Sequence, residues 1–181
     1  MIVAHLVTSG LGPVYDGVSH VLLSPEDLIP VLAMGLVAGL NGPRSGRLGL
    51  FVLTAAWLAG GMAGWLVGAP VVPLYLTTVS FLALGVLLAI DWRLSPVLVG
   101  LLAALVGLVH GWLNGTGIAA DGREAPGLIG IGAAVFVLAA LSAARVVSIP
   151  APWRVAVRVA GSWVAATGLL MLGWAVRGPL P

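Results

Sequence analysis

The sequence contains no cysteine and no lysine, and only 8% of its 181 residues are charged. Without cysteine there can be no disulfide, no thiolate metal site and no cysteine nucleophile. So little charge excludes a soluble domain, which typically runs near a quarter charged and needs that charge to cover itself with a solvated surface. A hydrophobic fraction of 60% excludes intrinsic disorder. The positive charge is eight arginines against six acids, a net of +2, so the high isoelectric point marks no nucleic-acid-binding surface and no nucleic-acid partner is expected. The remaining class is an all-α polytopic membrane protein with the lipid bilayer as its main partner.

A helix needs about 20 apolar residues to cross the hydrocarbon core. Six segments approach that length: Pro25–Leu40, Leu48–Val67, Val72–Ile90, Pro96–Leu113, Gly127–Val147 and Val155–Val176. Asn41-Gly42-Pro43, Gly68-Ala69-Pro70 with Pro73, and Pro150 with Pro152 break the chain between them. Ser95-Pro96 and Ser24-Pro25-Glu26-Asp27 have the cap, proline and acid order of helix starts. These signals predict a compact bundle of six transmembrane helices over residues 25–181, preceded by an interfacial segment, 1–24. Residues 1–10 are shorter and less apolar than a signal peptide is expected to be, and a trimmed remnant of one stays open.

Arginine placement sets the expected orientation. Arg44, Arg47, Arg93, Arg145, Arg154 and Arg158 fall in alternate loops, against Arg123 and Arg177 on the other side. The arginine-rich loops are therefore expected in the cytoplasm, with both termini outside a bacterial inner membrane. Gly35-x3-Gly39, Gly60-x3-Gly64 and Gly111-x3-Gly115 permit close helix approach. Packing within the chain explains them better than a dimer seam, although a homo-oligomer stays open. Trp92, Trp112, Trp153 and Trp174 lie near predicted span ends, as interfacial belts would; Trp57, Trp65 and Trp163 lie deeper. The run Gly35–Gly42 echoes Gly107–Gly115 with one inserted residue, compatible with a three-plus-three repeat of inverted topology.

In so apolar a chain each ionisable group near a span is a functional candidate. His5, Tyr15, Asp16, His20, Glu26 and Asp27 gather near the N-terminus, and His110 and Asn114 near the end of the fourth span. Asp16 and His20, and likewise His110 and Asn114, are four apart and share a helix face. On the expected topology all of these lie on the outer side, with His110 one turn below the surface, so sequence-distant histidines can converge. Imidazole plus carboxylate suits Ni²⁺, Co²⁺, Zn²⁺ or Mn²⁺. The expected metal site is Asp16, His20 and His110, with Glu26 or Asp27 as helpers, Asn114 as a neutral ligand or support, and His5 as the weakest candidate. Against this stand simpler roles: Asp16 in a turn, Glu26 and Asp27 as dipole-complementing acids, His110 as a packed polar residue. Haem between His20 and His110 is disfavoured by the intervening acids. No phosphate-binding loop, H-E-x-x-H or G-x-S-x-G motif is present. A metal held by His20, His110 and Asp16 could instead activate water, which keeps an intramembrane metal-dependent hydrolase as a rival.

The stretch Gly10–Leu32, with Tyr15-Asp16, His20 and Ser24-Pro25-Glu26-Asp27-Leu28, resembles the N-terminal signature of the HupE/UreJ family, membrane proteins named for hydrogenase and urease accessory operons. The form resembles its second branch. In the better-known branch a histidine and a glycine-rich step precede an aspartate–histidine pair; here Asp16 and His20 are separated by three residues. His110-Gly111, followed by Asn114 and Gly115, resembles the family's later histidine–glycine motif, with Asn114 or Gly115 where that branch adds a further ligand. The resemblance implies a six-span permease or accessory protein that moves nickel or cobalt toward metalloenzyme assembly, so a transporter is expected rather than an enzyme. The expected function is thus a divalent-metal permease with the ion as substrate, or else an accessory protein that presents metal without transporting it.

Overall fold

The computed structural model describes residues 9–68 and 75–177. Its helices are α1 (Pro13–Leu23), α2 (Pro25–Leu40), α3 (Pro43–Val67), α4 (Tyr75–Ile90), α5 (Pro96–Ala120), α6 (Gly127–Val146) and α7 (Ala151–Arg177), with no strand among the described residues. The chain is an all-α protein of membrane type. Helices α2 to α7 follow the six predicted spans, but their lengths differ in use. By length and composition α3, α5, α6 and α7 can each cross a membrane. Helix α2, 16 residues or about 24 Å, is too short alone and qualifies only jointly with α1, from which it bends by 76°. The described part of α4 is also 16 residues. The predicted span start at Val72, and all of the Gly68–Val71 turn except Gly68, lie outside the described residues.

The bend has a local cause. Ser24 precedes Pro25, whose ring disfavours helical backbone at the residue before it, and Ser24 is extended at φ −99°, ψ 101°. Helix α1 is no detached segment: Gly17 packs on the backbone of Gly127 in α6, and Val21 is fully buried in the core. The boundary drawn at residue 24 is therefore a corner inside the bundle.

The tightest helix pairs are α3 with α5 and α4 with α7, and α2 lies along α6. Glycines set these distances. A Cβ on Gly60 would come 2.5 Å from the Leu108 carbonyl oxygen, and one on Gly107 2.6 Å from that of Leu53. Gly64, Gly111 and Gly115 face backbone in the same α3–α5 seam, and Gly35 and Gly39 face α6. All three small-residue motifs thus pack within the chain. Exchanging the halves α2–α3–α4 and α5–α6–α7 maps α2–α6 onto α5–α3 and leaves α4–α7 paired, the pattern an inverted repeat generates.

Contacts gather the arginine-bearing segments at one end. Arg93 donates to the Leu40 carbonyl at the end of α2, Leu94 N–H to Asn41, and Arg158 to the Ala89 carbonyl. Arg154 forms a two-pronged ion pair with Asp91. At the opposite end Arg123 meets Asp16, and Trp65 donates to the Arg123 carbonyl. Helix α5 runs to Ala120 rather than to the predicted Leu113. Trp112 is therefore not at a helix end, whereas Trp92, Trp153 and Trp174 are exposed near theirs.

Candidate functional site

Where α1 turns into α2, the last turn of one helix and the first turn of the next are brought together. His20 and Asp27 meet across that corner, with His20 Nε2 3.3 Å from Asp27 Oδ2. Helix α5 supplies His110, whose Nδ1 lies 3.1 Å from Asp27 Oδ1, and Asn114, whose amide donates to Asp27 Oδ2 at 2.8 Å. Both oxygens of one carboxylate thus join two imidazoles and an amide. His110 is fully buried, Asp27 is 2% exposed and His20 8%. Ten residues, about 15 Å of helix, separate His110 from the end of α5 at Ala120. That corrects the expectation that it lies one turn below a surface.

The outer nitrogens of both rings face serines. Ser80 Oγ of α4 is 2.8 Å from His110 Nε2, and Ser24 Oγ is 3.3 Å from His20 Nδ1. Ser24 makes no side-chain cap to α2, unlike Ser95, which caps α5. The result is a chain Ser24–His20–Asp27–His110–Ser80. Ser80 Oγ also lies 2.7 Å from the Thr77 carbonyl, so its single proton serves either that oxygen or His110 Nε2, and His110 Nδ1 faces Asp27 in either case. Serine, histidine and aspartate are here in the order of a hydrolase triad. Trp57 of α3, fully buried, donates its indole N–H to Asn114 Oδ1 at 2.9 Å and lays its ring 5.3 Å from that of His110.

Of the residues singled out in the sequence, His20, Asp27, His110 and Asn114 converge. Asp16 does not: its carboxylate accepts from the Ser9 amide and hydroxyl and pairs with Arg123 at 3.5 Å. It was expected beside His20 because the two share a helix face, but it lies one turn away and its partners come from other segments. Glu26, half-buried beside Asp27 on α2, makes no hydrogen bond or ion pair with the cluster. His5 lies outside the described residues. Ser80 carried no sequence signal, Ser24 read only as a cap, and Trp57 read as packing.

A cavity of about 320 Å³ opens at the α1 end, lined by Asp16, Gly17, Ile118, Arg123 and Glu124. Gly17 and Ile118 are one helical turn from His20 and Asn114, so its floor approaches the cluster. Asp16→Asn should leave equilibrium ion binding within about twofold of wild type, since its carboxylate is engaged by Ser9 and Arg123 and not by the cluster. A loss like that expected for Asp27 substitution, measured by equilibrium dialysis, would return Asp16 to the site.

The model of the HupE / UreJ protein family matches residues 1–171. The chain belongs to the HupE/UreJ family. Comparison with curated proteins and with solved structures gives no match. HupE/UreJ proteins form an accessory or transport family linked to nickel and cobalt rather than a catalytic one. Among the described residues no three His, Asp or Glu side chains already surround a position for a metal ion. In this HupE/UreJ protein the two rings close on Asp27 by hydrogen bonds at 3.1 and 3.3 Å.

Proposed function

We propose that the chain is a nickel or cobalt permease of a bacterial inner membrane. The ion enters at the α1 end, taken as outside by its shortage of arginine, and is held by His20, Asp27 and His110. The observation that carries this reading is the Ser24–His20–Asp27–His110–Ser80 chain, buried among apolar helices. An ionisable triad inside a membrane bundle is costly and is retained for function. Metal-binding histidines characteristically donate their second ring N–H to an oxygen, which fixes the tautomer and aims the other nitrogen at the ion. Ser80 and Ser24 are each placed to accept such an N–H, from His110 Nε2 and His20 Nδ1. Small displacements of the rings from Asp27 would convert two hydrogen bonds into two nitrogen ligands and a carboxylate, at the ~2.0–2.2 Å such bonds require. The cation then replaces protons, so binding releases them.

Uptake of Ni²⁺ or Co²⁺ into proteoliposomes tests the proposal. His20→Ala and His110→Ala should each reduce initial uptake at least about tenfold, the lower end of losses when a metal site loses a supporting group. Wild-type uptake no faster than protein-free vesicles would defeat the permease reading. Full uptake in both variants would defeat the assigned site.

A further inference from the structure

Trp57 shares no segment with the cluster, yet it touches two of its members. Its indole N–H occupies Asn114 Oδ1, and the amide nitrogen of Asn114 then points at Asp27 Oδ2, 2.8 Å away, and towards His20 Nε2 at 3.5 Å. An amide has two faces with opposite chemistry. Turned the other way, Asn114 would present its carbonyl oxygen to any cation beside Asp27. Trp57 has only a donor to offer, so it accepts only the oxygen and fixes the amide one way. Burial strengthens the constraint: Trp57 is 0% exposed, and no water competes for its N–H. The indole ring also lies against His110, 5.3 Å between centroids and 30° from parallel.

We infer that Trp57 is a positioning residue of the ion site: by holding the Asn114 carbonyl away, it limits the donors a cation meets to two imidazoles and one carboxylate. The inference rests on the ion-site reading above and adds selectivity to it. Nitrogen-rich sites suit borderline cations such as Ni²⁺ and Co²⁺, whereas each added neutral oxygen favours harder ions such as Mn²⁺. Freeing the amide therefore moves preference towards Mn²⁺.

The chain has only two asparagines, Asn41 and Asn114, and no glutamine. Full-length protein labelled with ¹⁵N-asparagine thus gives two side-chain amide pairs by NMR. Trp57→Phe should shift the Asn114 pair and speed its exchange with solvent while leaving the Asn41 pair in place. In equilibrium dialysis with Ni²⁺ and Mn²⁺ chlorides, the same variant should lower the nickel-to-manganese affinity ratio about tenfold, the size of effect expected when a supporting partner is removed. An unchanged Asn114 pair, or an unchanged ratio, overturns the inference and assigns Trp57 to packing alone. If Trp57→Phe does not fold, Asn114→Ala in the presence of native Trp57 decides: one indole N–H should lose its protection from deuterium exchange, and no change in any indole signal overturns the lock. Wild-type protein that binds neither ion overturns the ion-site reading and the selectivity claim with it, whereas the amide signals judge the Trp57–Asn114 lock separately.

Discussion

Asp27→Asn should abolish ion binding and uptake. The Asp27 carboxylate is the one group that all three arms of the cluster share, accepting from Asn114 and facing both imidazoles. Asparagine keeps one oxygen and turns the other acceptor into a donor, so an N–H is forced against an N–H or a ring edge. Loss of a supporting group alone costs a metal site about ten- to a hundredfold, so loss of the shared carboxylate should cost about a hundredfold or more in affinity. Dialysis against Ni²⁺ measures the binding, and proteoliposomes the uptake. The control is Asp27→Glu, which keeps the charge and should retain more binding than Asn at equal expression. If Asp27→Asn bound nickel as wild type does, the carboxylate would be no ligand and the cluster would be structural. Substituting Glu26, its neighbour outside the cluster, should have a far smaller effect.

Gly111→Ala should destabilise the whole bundle, and with it the site. A Cβ there would run into the carbonyl group and Cα of Trp57, which are backbone atoms and cannot rotate away. Overpacking of this kind costs typically about 1–3 kcal/mol and occasionally more. Since Gly111 follows His110 and abuts Trp57, separating α3 from α5 also pulls the indole from Asn114. Gly117, six residues further along α5, has nothing within 4 Å of an added Cβ. Gly117→Ala should therefore be neutral or slightly stabilising, because alanine favours helix over glycine. Thermal unfolding in detergent, followed by loss of monodispersity, compares the two. Equal transition temperatures for Gly111→Ala and wild type would show that the α3–α5 seam can yield.

The order of the six predicted spans was readable because the turns are written in proline and glycine, and the segregation of arginines to one end because they fall in alternate loops. The family was readable from Gly10–Leu32. Asp27 and His110 stand out in the sequence because charge is scarce. The misses have physical causes. The span drawn to Leu113 is too short: Gly115 packs on Gly61 and helix α5 continues to Ala120. That error raised His110 nearer to the surface than it lies. Asp16 was misplaced because helical spacing gives a direction but not the opposing partner, here Arg123 from a loop 107 residues on. Trp57 and Ser80 pair with residues 57 and 30 positions away, and nothing local marks a tryptophan or serine as partnered.

The interleaving of the halves, α2 on α6 and α3 on α5, has a consequence for biogenesis. No early helix finds its main neighbour within its own half, so α2 and α3 enter the bilayer with their glycine faces uncovered until α5 and α6 follow. Contacts so distant along the chain make assembly slow and expose intermediates. A ribosome stalled before residue 96 would leave nascent chain that quality-control proteases can clear, and separately expressed halves should survive only when made together.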